Sequence, residues 1–189
     1  MRAPPILILP GLSSSGPEHW QTLWQQSHPE YTRVEQQDWF DPDPANWVRN
    51  IEIAVKACSE PPVLVAHSLA TIAISYWAQS SHLRIRGAFL VAPADVESPN
   101  PHSELLTAFC PIPLKPLPFP SLVVASTNDP YASLERVQLF ARSWGSSIQV
   151  VGAQGHINTA SGLGEWAPGY KLFAQWLTQI LGGVNRVIP

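Results

Sequence analysis

The chain has 189 residues, enough for one domain to bury a sizeable core without disulfide or metal staples. Apolar residues make up 45% and charged residues only 13%, a globular composition rather than a disordered one. The net charge is −3 and the basic side chains are scattered, with only Arg84 and Arg86 close together, so there is no basic stripe for nucleic acid.

In chain order, "PILIL" (Pro5–Leu9) has the continuous apolar character of a strand buried on both faces. "EHWQTLWQQS" (Glu18–Ser27) places Trp20, Leu23 and Trp24 on one helical face. "TRVEQQ" (Thr32–Gln37) is a weak second strand. Asp43-Pro44 suits a helix start, and the run behind it puts Trp47, Ile51, Ala54 and Val55 on one face. Pro62–Ala66 reads as a strand, Leu69–Ser80 as a helix, Ile85–Pro93 and Ser121–Thr127 as strands. Leu134–Trp144 is a helix, Ser147–Gly152 a strand, and Tyr170–Leu181 a final helix. Six buried-looking strands separated mostly by helices predict an α/β fold: a mainly parallel sheet of six strands with helices on both faces.

Residues 1–189 read as a single domain with one irregular piece. The proline-rich stretch 97–120 is expected to be a loop, either a cap over a cleft or a surface detour. Cys58 and Cys110 form neither a disulfide framework nor a metal motif and read as reduced thiols. "MRAPPILILP" lacks the longer apolar region and cleavage site of a signal peptide, and no uncharged stretch is long enough to span a membrane. A cytoplasmic protein with no membrane partner is expected.

Ligands of open α/β sheets bind beyond the carboxyl ends of the strands. The residues just after the apolar runs are "PGLSSSG", "HSLA", "PADVE", "NDPY" and "AQGHIN". "AHSLA" (Ala66–Ala70) is the G-x-S-x-G pattern with alanine for both glycines. On a strand-to-helix elbow Ser68 would stand clear of the sheet, with φ > 0 and the next N–H aimed at a developing oxyanion. Small residues are needed at 66 and 70 because strand and helix nearly touch there. The plainer possibility is a serine that merely N-caps the following helix.

A serine nucleophile needs a base. Among the histidines, His19 and His28 belong to the first helix and His82 and His102 to polar turns. The His67 side chain is expected to point away from the active face. His156 alone follows a late strand. The acid is Asp95 or Asp129, with Asp129 favoured because it follows the penultimate strand. Ser…Asp…His is the chain order of one serine-hydrolase arrangement.

The stretches "ILPGLSSSGPEHWQTLW", "DWFDPDPANWV", "VLVAHSLA", "STNDPYASLERV" and above all "GHINTASGLGEWAPG" resemble the small serine hydrolases grouped with retinoblastoma-binding protein 9 and its bacterial relatives. The resemblance spans nearly the whole chain. It implies a compact α/β-hydrolase fold without the two usual N-terminal antiparallel strands, with Ser68 as nucleophile, Asp129 as acid and His156 as base. The expected chemistry is acyl transfer to water, with the backbone N–H groups of Leu12 and Leu69 as oxyanion hole and no metal or organic cofactor. Trp20, Trp39 and Phe40 are candidate substrate-binding residues, although tryptophans equally suit a core. The expected partner is a small acyl substrate, and the protein a monomer or small homo-oligomer. The alternative is a binding or regulatory protein on a hydrolase scaffold.

Overall fold

A computed structural model describes residues 3–99 and 103–183. The strands are β1 (Ile6–Leu9), β2 (Thr32–Arg33), β3 (Val63–His67), β4 (Gly87–Val91), β5 (Ser121–Ala125) and β6 (Ser147–Val150). They form one sheet in the order β2-β1-β3-β4-β5-β6, and every pairing is parallel. The order reverses direction between β1 and β3, the switch point where such sheets open a crevice.

Alternation along the strands sorts the core into two layers. Leu7 and Leu9 of β1, with Leu64 and Ala66 of β3, face helices α2 (Pro44–Ala57), α3 (Leu69–Ser80) and α5 (Leu134–Trp144). Ile6, Ile8, Val63 and Val65 face α1 (Trp20–Ser27) and the last helix (Ala167–Gly183), where Trp20, Trp24, Trp166 and Phe173 pack. Local chemistry sets the helix ends. Asp43 caps α2 by accepting from Asn46 N at 2.7 Å, with Pro44 at the first position. Ser133 caps α5, which ends on Gly145 at φ 68°.

Three expectations need correction. The second strand pairs over Thr32 and Arg33 only, opposite Leu7 and Ile8 of β1, with Val34 N adding a last bond to Ile8 O at 2.9 Å before the chain departs. β6 is exposed at all four residues: it is the other edge, and its apolar side chains Ile148 and Val150 are not buried. The proline-rich stretch is not a bare loop either. It contains a short helix α4 (Ser103–Leu106) and a 3₁₀ turn (Thr107–Phe109), and Leu106, Phe109 and Ile112 are buried in the α2/α3/α5 layer. With this element counted, the final helix Ala167–Gly183 is α6.

Candidate active site

Ser68 sits at the first turn after β3 with φ 55° and ψ −125°, a conformation a non-glycine residue adopts only under constraint. The constraint is visible. Ser68 N–H donates to Val91 O at 3.0 Å, and Ser68 O accepts from Thr71 N at 3.0 Å and Thr71 Oγ1 at 2.7 Å. Ala66 and Ala70 are buried on either side of the turn, so alanine meets the demand for small flanking residues. Although Ser68 occupies the N-cap position of α3, its side chain makes no capping bond. The hydroxyl instead donates to His156 Nε2 at 2.8 Å.

The tautomer follows from the neighbours. His156 Nδ1 lies 2.9 and 2.8 Å from the two carboxylate oxygens of Asp129, which only accept, so Nδ1 carries the proton and Nε2 is free to take one. The Asp129 side chain is 2% exposed and also accepts from Tyr131 N at 2.9 Å. Ser126 and Asn128 clamp the loop after β5 to the loop after β6. Ser126 Oγ accepts from Gln154 N at 2.9 Å, and Asn128 Oδ1 accepts from Gly155 N at 2.7 Å. Asp129 and His156 are thereby held on one edge of the sheet.

The turn after β1 closes onto the elbow. A Cβ on Gly11 would stand 2.8 Å from Ser68 Cβ and 3.4 Å from Leu69 N, so the Gly11-Leu12 peptide passes directly against the start of α3. Leu69, the first residue of α3, has no acceptor within the helix for its N–H. Gln21 braces this turn, donating to Leu9 O and Val65 O and accepting from Ser15 Oγ. Arg33 adds bonds to Ser15 O and Thr22 Oγ1.

A cavity of about 270 Å³ opens over Ser68 and His156. Its apolar wall is Leu12, Leu69, Ala94 and Leu106, and its polar wall includes Ser13, Ser14, Asn158 and Thr159. Trp20, Trp39 and Phe40 do not line it. Trp20 is buried among Trp24 and Trp166 on the far side of α1 from solvent, and its indole N–H donates to Ile157 O at 2.8 Å. Trp39 packs edge-on to Trp47, and its carbonyl accepts from Ser13 N at 2.8 Å. Phe40 is 71% exposed.

Asp95 is engaged elsewhere. It is fully buried and receives a two-point bond from Arg136, Nε to Oδ2 at 2.8 Å and Nη2 to Oδ1 at 2.9 Å. Burial alone would raise its pKa, but the bonds from Arg136 and Ser98 outweigh that and hold the carboxyl below its ordinary value.

Two histidines set aside on sequence grounds belong to this region, while His102 lies outside the described residues. The His67 side chain does not turn away from the active face: it lines the cavity, and its ring lies 4.9 Å from that of His156. His19 also lines it, stacked edge-on against His67 at 4.8 Å. His19 Nδ1 accepts from Gln21 N at 3.2 Å as the N-cap of α1, so its proton is on Nε2. Burial, with lesser contributions from Arg33 and His156, pushes the His19 pKa down to about 3; burial lowers His67 in the same direction. Both rings are neutral near pH 7. A polar residue just before the first helix is the signal that could have placed His19 as a cap.

A sequence profile described as serine hydrolase matches residues 6–175. The chain belongs to the serine hydrolase family. A YdeN-like hydrolase from Pectobacterium atrosepticum is 34% identical, with a TM-score of 0.84 over 93% of this chain and 91% of that one. The YdeN gene product of B. subtilis is 19% identical, with a TM-score of 0.75 over 93% and 99%. An esterase from Thermogutta terrifontis shares the fold at 13% identity, with a TM-score of 0.69 over 94% and 90%. A search of curated proteins gives no match. The protein is thus a small hydrolase of bacterial type on an α/β-hydrolase fold, and no helix among the described residues is long and apolar enough to cross a membrane.

Proposed function

We propose that this hydrolase cleaves small carboxylic esters or related acyl bonds through an acyl-enzyme on Ser68, a carboxylesterase-like activity. The observation that carries the proposal is the continuous chain of bonds from Ser68 Oγ to His156 Nε2 and from His156 Nδ1 to Asp129. Ser68 Oγ attacks the carbonyl carbon while its proton passes to His156 Nε2. Asp129 keeps the proton of Nδ1 in place and stabilises the imidazolium that results. The tetrahedral oxyanion is received by the N–H groups of Leu12 and Leu69, donors of a type worth about 2.7–4 kcal/mol each in the transition state. Its collapse expels the alcohol, which takes the proton from His156. Water then enters by the same route and gives a proton to His156 as its oxygen attacks the acyl carbon; collapse releases the acid and returns that proton to Ser68 Oγ.

The cavity favours a small substrate. Its volume of about 270 Å³ falls below the range of drug-sized sites, and its apolar wall is short. Leu12, Leu69, Ala94 and Leu106 are the residues to which we assign the acyl group, in place of the tryptophans. The test is a series of p-nitrophenyl esters. Acetate and butyrate should be turned over with higher kcat/KM than octanoate; absence of turnover across the whole series would contradict the proposal.

A further inference from the structure

The loop carrying His156 follows an exposed edge strand and belongs to no sheet ladder. It has its own turn bonds, such as Ile157 N to Gln154 O, and the clamp from Ser126 and Asn128 on its first residues. Beyond these, three of its carbonyl oxygens accept from side-chain N–H donors of other elements. Two of these bonds fall on successive residues at the reacting centre. His67 Nε2 lies 2.9 Å from His156 O, and Trp20 Nε1 donates to Ile157 O at 2.8 Å. A carbonyl only accepts, so the proton of neutral His67 is on Nε2. Ile157 needs such support. It is a buried, β-branched residue at φ 48°, a conformation it does not adopt unaided.

His67 and Ser68 are consecutive, and both meet His156: Ser68 Oγ at the ring nitrogen, His67 at the backbone carbonyl of the same residue. We propose that His67 and Trp20 are positioning residues for hydrolysis, fixing the peptides of His156 and Ile157 so that His156 Nε2 stays within proton-transfer distance of Ser68 Oγ. This rests on the reading of His156 as the base. A base must lie about 2.6–3.2 Å from the proton it takes. The observed 2.8 Å leaves little slack for a loop with no ladder. Neither residue touches the substrate's reacting atoms, so each acts through His156. The effect belongs in kcat rather than in KM.

Gln carries its amide nitrogen the same number of bonds from Cα as His carries Nε2, so His67→Gln keeps a donor where His67→Leu removes it. Trp20→Phe removes the indole donor and keeps an aromatic ring. Steady-state kinetics on p-nitrophenyl acetate, with thermal unfolding of each variant, reads the difference. His67→Leu should lower kcat on the order of 10- to 100-fold with KM nearly unchanged, since a misplacement of about 1 Å can cost that much. His67→Gln should stay within a few-fold of wild type, and Trp20→Phe should fall between the two. Wild-type kcat in His67→Leu, or an equal loss in His67→Gln, would overturn the proposal. If His67→Leu does not fold, wild-type kcat in Trp20→Phe overturns it and a lowered kcat at unchanged KM supports it. His156→Ala is the separate control: activity surviving there would remove the base assignment itself, whatever the positioning variants do.

Discussion

Gly11 has no room for a side chain because Ser68 is there: a Cβ on Gly11 would stand 2.8 Å from Ser68 Cβ and 3.0 Å from His67 O. Both neighbours belong to the constrained elbow, and neither can move without moving the serine. Gly11→Ala should therefore displace the turn that carries the Leu12 N–H. The expected loss is about 10²-fold in kcat, comparable to losing an oxyanion donor, with an overpacking cost of about 1–3 kcal/mol in stability. Kinetics and urea unfolding on one preparation separate the two; full activity would place the oxyanion donors elsewhere.

The two aspartates at strand ends should behave oppositely. Asp129→Asn should lower kcat by roughly 10⁴-fold, by analogy with other triads, because the amide favours the wrong tautomer of His156. Asp95→Asn should leave kcat close to wild type and cost stability, toward the lower end of about 3–5 kcal/mol because Arg136 keeps some solvent. The Arg136 side chain is 29% exposed and also pairs with Glu97. If Asp95→Asn were the inactive variant, the acid assignment would be wrong.

Leu106 is where the proline-rich stretch reaches the cavity. Leu106→Ala should move the optimum of the p-nitrophenyl series to longer acyl chains while kcat for acetate changes little, since Leu106 touches the substrate's tail rather than the carbonyl. The same change should cost about 2–5 kcal/mol in stability, because Leu106 is buried. An unchanged length preference would remove Leu106 from the acyl site.

Buried neutral histidines make stability depend on pH. His19 is held at about 3 in the folded protein against an ordinary 6.5, so between those values the unfolded chain binds the extra proton and the native one does not. Stability is therefore complete above pH 6.5 and falls as pH drops toward 3, by up to about 1.4 kcal/mol per pH unit for each such histidine. His67 adds in the same direction. His19→Asn keeps an acceptor for Gln21 N and cannot titrate. It should flatten the decline between pH 6.5 and 5 by roughly one histidine's share. Parallel curves for wild type and variant in urea unfolding would contradict the burial argument.

Most of the fold was legible because the central strands are apolar on both faces and the helices carry one-sided stripes, as in Trp47, Ile51 and Val55. The edges were less so. β6, Ser-Ile-Gln-Val, alternates polar and apolar side chains as a half-buried strand would, yet all four residues are exposed, and a strand's own composition does not report that it ends the sheet. Parallel topology brings strand ends together, so Ser68, Asp129 and His156 could be placed on one edge of the sheet, although strand-end position alone did not separate Asp129 from Asp95. The cavity wall was not legible, since Ser13, Asn158 and Leu106 come from irregular segments with no period to read. Trp20 shows the same limit: its spacing marks an apolar face, but only the packing of α1 shows that the face turns toward Trp166 and away from the cavity.

The central claim is that Ser68 is an activated nucleophile, and active-site labelling tests it most directly. A fluorophosphonate probe should attach stoichiometrically to the wild-type protein, with the adduct on the peptide containing Ser68 by mass spectrometry. Ser68→Ala, folded to the same thermal midpoint, should take up none. Wild-type protein that stays unlabelled under conditions that modify a known serine hydrolase, or label retained in Ser68→Ala, would contradict the account and favour a binding protein on a hydrolase scaffold.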